Sequence, residues 1–179
     1  MTQPPVPDSA DWERRWTIEA GSMLLRPVTR RVAHAVLDGG TITGTFEKGA
    51  LHDRIPQAMG MAIRDIDSGG AAILPTVWLV VRRADGRIIG DIGTHGPPDS
   101  EGCVEIGYAL APSARGQGIG TAAVAALIRR LAAVPGIRRL TAVTSADNAA
   151  SRRLLERQGF HLMGPLPDSD EVRYSRSLG

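Results

Sequence analysis

The residues with the clearest chemical meaning are Arg115, Gly116, Gly118 and Gly120, in the run EIGYALAPSARGQGIGT from Glu105 to Thr121. The run begins as a short apolar stretch of strand character (Val104, Ile106, Tyr108, Leu110) and breaks at Pro112. Its glycines then open a segment of helical character, TAAVAALIRRLAA. The first turn of a helix carries unpaired N–H groups and a partial positive charge. Glycines at 116, 118 and 120 remove the side chains that would hold a phosphate away from those donors. Arg115 adds a cation suited to bidentate phosphate contact. The arrangement is that of a docking loop for a phosphate-bearing ligand.

Three motifs compete for the loop. The phosphate loop of nucleotide hydrolases has Lys and then Ser or Thr after its last glycine, whereas Thr121 follows Gly120 directly. Gly118, Gly120 and Ala123 satisfy the G-x-G-x-x-A of dinucleotide-binding folds, which would make the protein an NAD(P)-binding oxidoreductase. That fingerprint expects an acidic residue about 20 positions on. This chain has Arg138 and Arg139 there, and its loop lies past mid-chain.

The third match is to a family. Arg115 to Gly120 (RGQGIG) fits the R/Q-x-x-G-x-G/A motif of the GNAT superfamily of N-acetyltransferases. The segment NAASRRLLERQGF from Asn148 to Phe160 resembles the second motif of that family, N-x-x-S/A-x-x-L closed by Gly-Phe. A helix, a short turn and a strand separate the two, as the family requires. Met23 to Val28 (MLLRPV) resembles its first strand. Gly90 to Gly93 (GDIG) and Val104 to Tyr108 (VEIGY) resemble the central strands of the subgroup containing the ribosomal-protein N-terminal acetyltransferases. The resemblance spans about residues 22 to 178.

It implies a mixed α/β fold: a central, largely antiparallel sheet flanked by helices, with one parallel strand pair splayed around the pantetheine arm of coenzyme A. It also implies that acetyl-CoA is the co-substrate and that an amine receives the acetyl group directly. On the same basis, the amide of Leu110 or Ala111 polarises the thioester carbonyl. The loop of Arg115, Gly116, Gln117, Gly118, Ile119, Gly120 and Thr121 holds the pyrophosphate, and Asn148 contacts the pantetheine arm.

An amine attacks a thioester only when uncharged, and free amines have pKa values of ~8 (α-amine) or ~10.4 (lysine). A general base therefore helps. Glu105 is a lone carboxylate in an apolar strand, and burial there is expected to raise its pKa. Strand alternation sets Glu105, Gly107 and Ala109 on one face and Ile106, Tyr108 and Leu110 on the other. His95 and Asp91 are weaker candidates. Many family members carry a tyrosine general acid immediately after the Leu of the second motif; here that position is Leu155. Ser151, one turn earlier, is the candidate donor to the leaving sulfur, with Tyr108 a further possibility on what is expected to be the wrong face. Solvent is the alternative proton source. The absent tyrosine also leaves room for a catalytically silent acyl-CoA-binding domain.

Several elements must position these groups. Met23–Val28 reads as a strand. Thr29 is placed to cap a helix that stops at Gly39-Gly40. A second helix spans about Arg54 to Ile66, with Pro56 in its first turn. Thr76–Arg83 and Arg87–Gly93 form a hairpin about Asp85-Gly86, and Cys103–Leu110 is the next strand. The helix of about Gly118–Ala133 shows Val124, Leu127, Ile128 and Leu131 on one stripe. Arg139–Thr144 returns parallel to Cys103–Leu110. Asp147 or Asn148 caps the last long helix, and two strands follow, about Phe160–Leu166 and Val172–Ser177. Residues 1–21 read as an N-terminal extension, with Trp12 and Trp16 at helical spacing, and residues 22–179 as the single domain.

The 179 residues carry a formal charge of +2. Lys48 is the only lysine, and no basic run interleaved with aromatics suggests nucleic acid. Cys103 stands alone, so neither an intrachain disulfide nor a zinc cluster is expected, and no metal is invoked. The N-terminus lacks the apolar core of a signal peptide, and no apolar run approaches the ~20 residues of a membrane span. A cytoplasmic protein is the expectation. Oligomeric state stays open, a homodimer included. The subgroup resemblance allows a protein N-terminal amine, an aminoglycoside, a polyamine or another small amine as acceptor, and Asp91, Asp99, Glu101 and Glu105 are too few and scattered to decide among them.

Overall fold

A computed structural model describes residues 7–40, 42, 44–72 and 74–179. Residues 1–6 of the expected extension, and Thr41 and Thr43, lie outside them. The elements in chain order are α1 (Ala10–Trp16), β1 (Ile18–Ala20), β2 (Met23–Pro27), α2 (Arg30–Leu37), α3 (Ile55–Asp67), β3 (Val77–Arg82), β4 (Ile88–Thr94), β5 (Cys103–Leu110), α4 (Ile119–Ala132), β6 (Arg139–Ser145), α5 (Ala149–Arg157), β7 (His161–Pro165) and β8 (Glu171–Ser177). The strands form one sheet in the order β1-β2-β3-β4-β5-β6-β8-β7. Every neighbouring pair is antiparallel except β5 and β6.

Local chemistry sets the helix starts. The Thr29 hydroxyl accepts from the Val32 N–H at α2, and Asn148 Oδ1 accepts from the Ser151 N–H at α5. Pro56 sits in the first turn of α3, where its missing N–H has no partner to lose. α4 begins without a side-chain cap: Gly118, in the left-handed region at φ 76°, is its N-cap. Its first-turn amides are thus left for another acceptor.

Strand alternation divides the core. Trp78, Ile92 and Ile106 belong to a cluster that α4 joins through Ala123, Val124, Leu127, Ile128 and Leu131, and α5 through Leu154 and Leu155. Val77, Leu79 and Val81 face the other way, against Ala33 of α2 and Ile55, Met59 and Ala62 of α3. Asp91 and Ala109 lie in register with Leu79, and Gly107 with Gly93 and Val77, so the Glu105 face of β5 is the side on which α2 and α3 pack. No helix among the described residues is long and apolar enough to cross a membrane.

Residues 10–20, set apart by composition in the sequence, are built into the same sheet and core. Trp12 is fully buried, and its indole N–H donates to the Ala71 carbonyl at 2.8 Å. Trp16 meets Trp78 edge-on with ring centroids 6.4 Å apart, and the Arg130 guanidinium lies 4.3 Å from the Trp16 ring centroid. The three-residue β1, which no sequence pattern announces, pairs with β2 through a tight turn containing Gly21 at φ 63°. Trp12→Ala should therefore cost ~3–5 kcal/mol, as for other large buried aromatics. The check is the urea midpoint; an unchanged midpoint would show that α1 is not part of the cooperative unit.

Candidate active site

β5 and β6 pair only from Cys103↔Arg139 to Ile106↔Ala142. Beyond that point β5 stays with β4 through Gly90↔Leu110, and β6 stays with β8 through Ser145↔Glu171. The two strands part, and a cleft of about 660 Å³ opens between them. It is lined by both strands, by the glycine loop and by the start of α5.

The parting frees backbone donors. The Ala111 N–H donates to the Ile89 carbonyl at 2.8 Å, and the His95 N–H to the Glu105 carbonyl. Along an antiparallel ladder the direction of the amides alternates. Tyr108 and Leu110 therefore turn their N–H groups away from β4, toward the side where β6 has withdrawn. Of the two amides expected to meet a thioester carbonyl, Ala111 is spent in the ladder and Leu110 faces the cleft, joined there by Tyr108.

At the mouth of the cleft, Gly116 and Gly118 have φ of 72° and 76°, conformations that side chains rarely adopt. Gly120 is glycine for another reason: a Cβ there would stand 3.0 Å from Leu154 Cδ1 and 3.4 Å from Leu110 Cδ1. The loop residues Ile119, Gly120 and Thr121 form the first turn of α4. Arg115 lies beside them, with its Nε donating to the Leu110 carbonyl at 3.0 Å. The Gln117 side chain turns back to the Ser113 carbonyl. Asn148 lines the cleft, and its side-chain oxygen is committed to the cap of α5.

Tyr108 is not on an idle face. Its hydroxyl shares a 2.8 Å hydrogen bond with Ser151 Oγ, and both residues line the cleft. Burial pushes the Tyr108 pKa up, against a smaller opposing effect of Ser151. Leu155 is 1% exposed and part of the core.

The opposite face of β4 and β5 carries two histidine–carboxylate pairs. His95 Nδ1 lies 2.8 Å from Glu105 Oε1. The His95 ring folds over Gly107: a Cβ on Gly107 would stand 2.8 Å from His95 Nε2. This pairing corrects the expected titration of Glu105. The hydrogen bond from His95 holds its carboxyl below the usual range, outweighing burial, and the positive field of Arg173 acts in the same direction. The second pair joins His52 Nε2 to Asp91 Oδ1 at 2.6 Å. The Arg54 N–H donates to His52 Nδ1 at 3.2 Å, so both nitrogens of His52 are engaged. His95 Nε2 has no hydrogen-bond partner among the described residues.

The structure brings Arg54, Arg153 and Arg157 to the cleft, whereas His52, Asp91, His95 and Glu105 are not among its lining residues. Arg153 and Arg157 share a face of α5, a spacing visible in the sequence, and both line the cleft with Arg54. His52 lies in an irregular segment whose pattern says nothing about where it folds. Cys103, expected on the Glu105 face, is half-buried, and its sulfur has a single weak contact, Thr141 Oγ1 at 3.9 Å. Among the described residues no group of three His, Cys, Asp or Glu could hold a metal ion.

A mixed sheet that splays beside a glycine loop at a helix N-terminus is the architecture of the GNAT acetyltransferases. The profile of the acetyltransferase (GNAT) domain matches residues 23–161, and the chain belongs to that family. Two Bacillus subtilis (strain 168) proteins are similar over part of their length. One is described as the uncharacterized N-acetyltransferase YjdG, 35% identical over 85 residues (48% of this chain, 51% of that protein). The other, YoaA, carries the same description and is 33% identical over 89 residues, half of each chain. The chain thus matches about half the length of these relatives.

Solved structures share the fold at lower identity. The ribosomal-protein-S5-alanine acetyltransferase of Vibrio fischeri superposes with a TM-score of 0.67 at 16% identity, covering 90% of this chain and 96% of that one. RimL, a ribosomal L7/L12 α-N-protein acetyltransferase solved with coenzyme A, gives 0.67 at 19%, covering 90% and 97%. The microcin C7 self-immunity acetyltransferase MccE, solved with acetyl-CoA and AMP, gives 0.64 at 18%, covering 88% and 93%.

The His95–Glu105 pair has a consequence for stability. A carboxyl held below its ordinary 4.5 contributes stability that is present above that pH and is lost as pH falls through the lower folded value. The stability difference between wild type and Glu105→Gln should be larger at pH 7 than at pH 3. Urea midpoints at the two pH values measure it; a difference that grows toward acid would contradict the pairing.

Proposed function

We propose that the protein is an acetyl-CoA-dependent N-acetyltransferase that moves an acetyl group directly from the thioester to a primary amine, either a protein N-terminus or a small amine. One observation carries the reading: the β5–β6 ladder ends at Ile106 and Ala142, so the Tyr108 and Leu110 amides face a cleft whose mouth is an uncapped helix start with a glycine loop. That donor set fits coenzyme A, a pyrophosphate joined to an arm that carries amides. The amides of the Gly116–Thr121 loop and the cation of Arg115 receive the pyrophosphate. The arm lies along β5, meeting Leu110 first. Tyr108, two residues or about 7 Å further in, is the deeper donor. An amide aimed at the carbonyl oxygen stabilises the charge that develops there during attack.

The base is the His95–Glu105 pair. Glu105, held ionised by its partner, serves best as acceptor of the Nδ1–H, which leaves the lone pair on Nε2, where no partner competes. Nε2 takes a proton from the attacking nitrogen, the C–N bond forms, and the C–S electron pair leaves with sulfur. Among the described residues no base adjoins Cys103 to activate it, which favours direct transfer. The primary-amine class draws on neighbours that act on ribosomal-protein N-termini.

Two measurements test this. Acetyl-CoA or CoA at a hundred times the dissociation constant should stabilise the fold by about 2.7 kcal/mol, a melting shift of several degrees, and NADPH should not. A shift with NADPH alone overturns the reading, and a CoA shift without transfer to any amine marks a binding domain. His95→Gln should lower kcat by about 10²–10⁴-fold, the range of general base catalysis, with the CoA shift retained. A wild-type rate in that variant removes His95 from the chemistry.

A further inference from the structure

The geometry points to Tyr108 as a positioning residue that holds the Ser151 hydroxyl as hydrogen-bond donor to the leaving sulfur of the thioester. The inference rests on the acyl-transfer reading above and names a part of the site that the cleft alone does not assign. Tyr108 projects from β5 on the face opposite Glu105, toward α5, and its hydroxyl meets Ser151 Oγ at 2.8 Å within the cleft lining. A hydroxyl has one proton to donate and accepts through its lone pairs. Two hydroxyls in contact can therefore order themselves: one donates inward and the other is left with its proton free.

The surroundings choose the direction. Burial raises the Tyr108 pKa, so the phenol remains a protonated donor across the neutral range. A phenol is the stronger donor and an aliphatic hydroxyl the stronger acceptor, so the Tyr108 proton goes to Ser151 Oγ across their 2.8 Å contact. Ser151 Oγ has no second partner among the described residues, so its own proton is free to point into the cleft. The Ser151 backbone N–H is anchored by Asn148 Oδ1 at 3.1 Å, which fixes the first turn of α5. Leu155, at the position where many family members carry a tyrosine, is an apolar core side chain.

The step balances without a proton leaving the pair. The nitrogen proton goes to the base on the other face, the C–S bond breaks, and the electron pair remains on sulfur. Ser151 donates a hydrogen bond to the growing thiolate, and Tyr108 strengthens that donation by donating to Ser151. The thiolate takes its proton from solvent after release. A donor that engages only as charge develops acts on kcat and leaves ground-state binding alone.

The test is a double-mutant cycle on the full chain, with Tyr108→Phe, Ser151→Ala and both together. It is read by thiol release from acetyl-CoA with a primary amine or hydroxylamine as acceptor, alongside the melting shift with CoA. Tyr108→Phe should lower kcat about tenfold, the scale of one hydrogen bond lost from a transition state. KM for acetyl-CoA and the CoA shift should stay unchanged. Ser151→Ala should lower kcat at least as far, and the double variant should be no slower than Ser151→Ala, because Tyr108 acts only through Ser151. Multiplicative losses, or a Tyr108→Phe defect confined to KM or to the CoA shift, overturn the inference and leave the acyl-transfer reading standing. No thiol release by wild type with any acceptor overturns both.

Discussion

The structure depends on the failure of one strand pair to stay together. Among the described residues β5 and β6 are the one parallel pair of strands, and each is held to its own half by an antiparallel ladder that continues where the parallel one stops. An unpaired buried amide costs ~1–3 kcal/mol, so strands part only where something else meets those donors. Water meets them in an open cleft, and so can a ligand that carries carbonyl oxygens. α4 packs at the point where the halves part. It enters directly from the glycine loop, and Gly120 lets its first turn close on Leu110 and Leu154 without a side chain between them.

Because side chains alternate along β5, the two faces of the sheet carry different chemistry beside the cleft. Toward α4 and α5 lie Tyr108 and Ser151, a pair of hydroxyls with a proton to offer. Toward α2 and α3 lie the two histidine–carboxylate pairs. These two pairs are not equivalent. His52 uses both nitrogens, one to Asp91 and one to the chain at Arg54, and so ties the loop before α3 to the sheet. His95 uses one, and its other nitrogen has no partner among the described residues.

Glu105 shows how a correct location can accompany a wrong environment. A single carboxylate in an apolar strand suggests burial and a raised pKa. Burial does act that way, but the loop after β4 brings His95 back over Gly107 and onto the carboxylate, and the hydrogen bond outweighs the desolvation. Gly107 makes this possible by leaving its side-chain space to the imidazole. The pairing makes Glu105 the hydrogen-bond partner of His95 and turns its pKa shift downward.

The elements were legible from the sequence wherever physics acts locally. The Thr29 and Asn148 caps, Pro56 in a first turn, the stripe of α4, the hairpin at Asp85-Gly86 and the glycine loop before a helix all depend on residues within a few positions of one another. So did the family, because both of its motifs are short and their spacing is set by one helix and one strand. The three-residue β1 and the docking of Trp12 were not legible, since a short strand is defined by its neighbour and a buried tryptophan by its cavity. Nor were the pairings of His52 with Asp91, His95 with Glu105 or Tyr108 with Ser151. Those partners stand 39, 10 and 43 positions apart. Sequence determined which chemical groups the protein has and which face of a strand each occupies. Only the tertiary structure decided which groups meet, because a hydrogen bond depends on distances of a few tenths of an ångström that no local periodicity encodes.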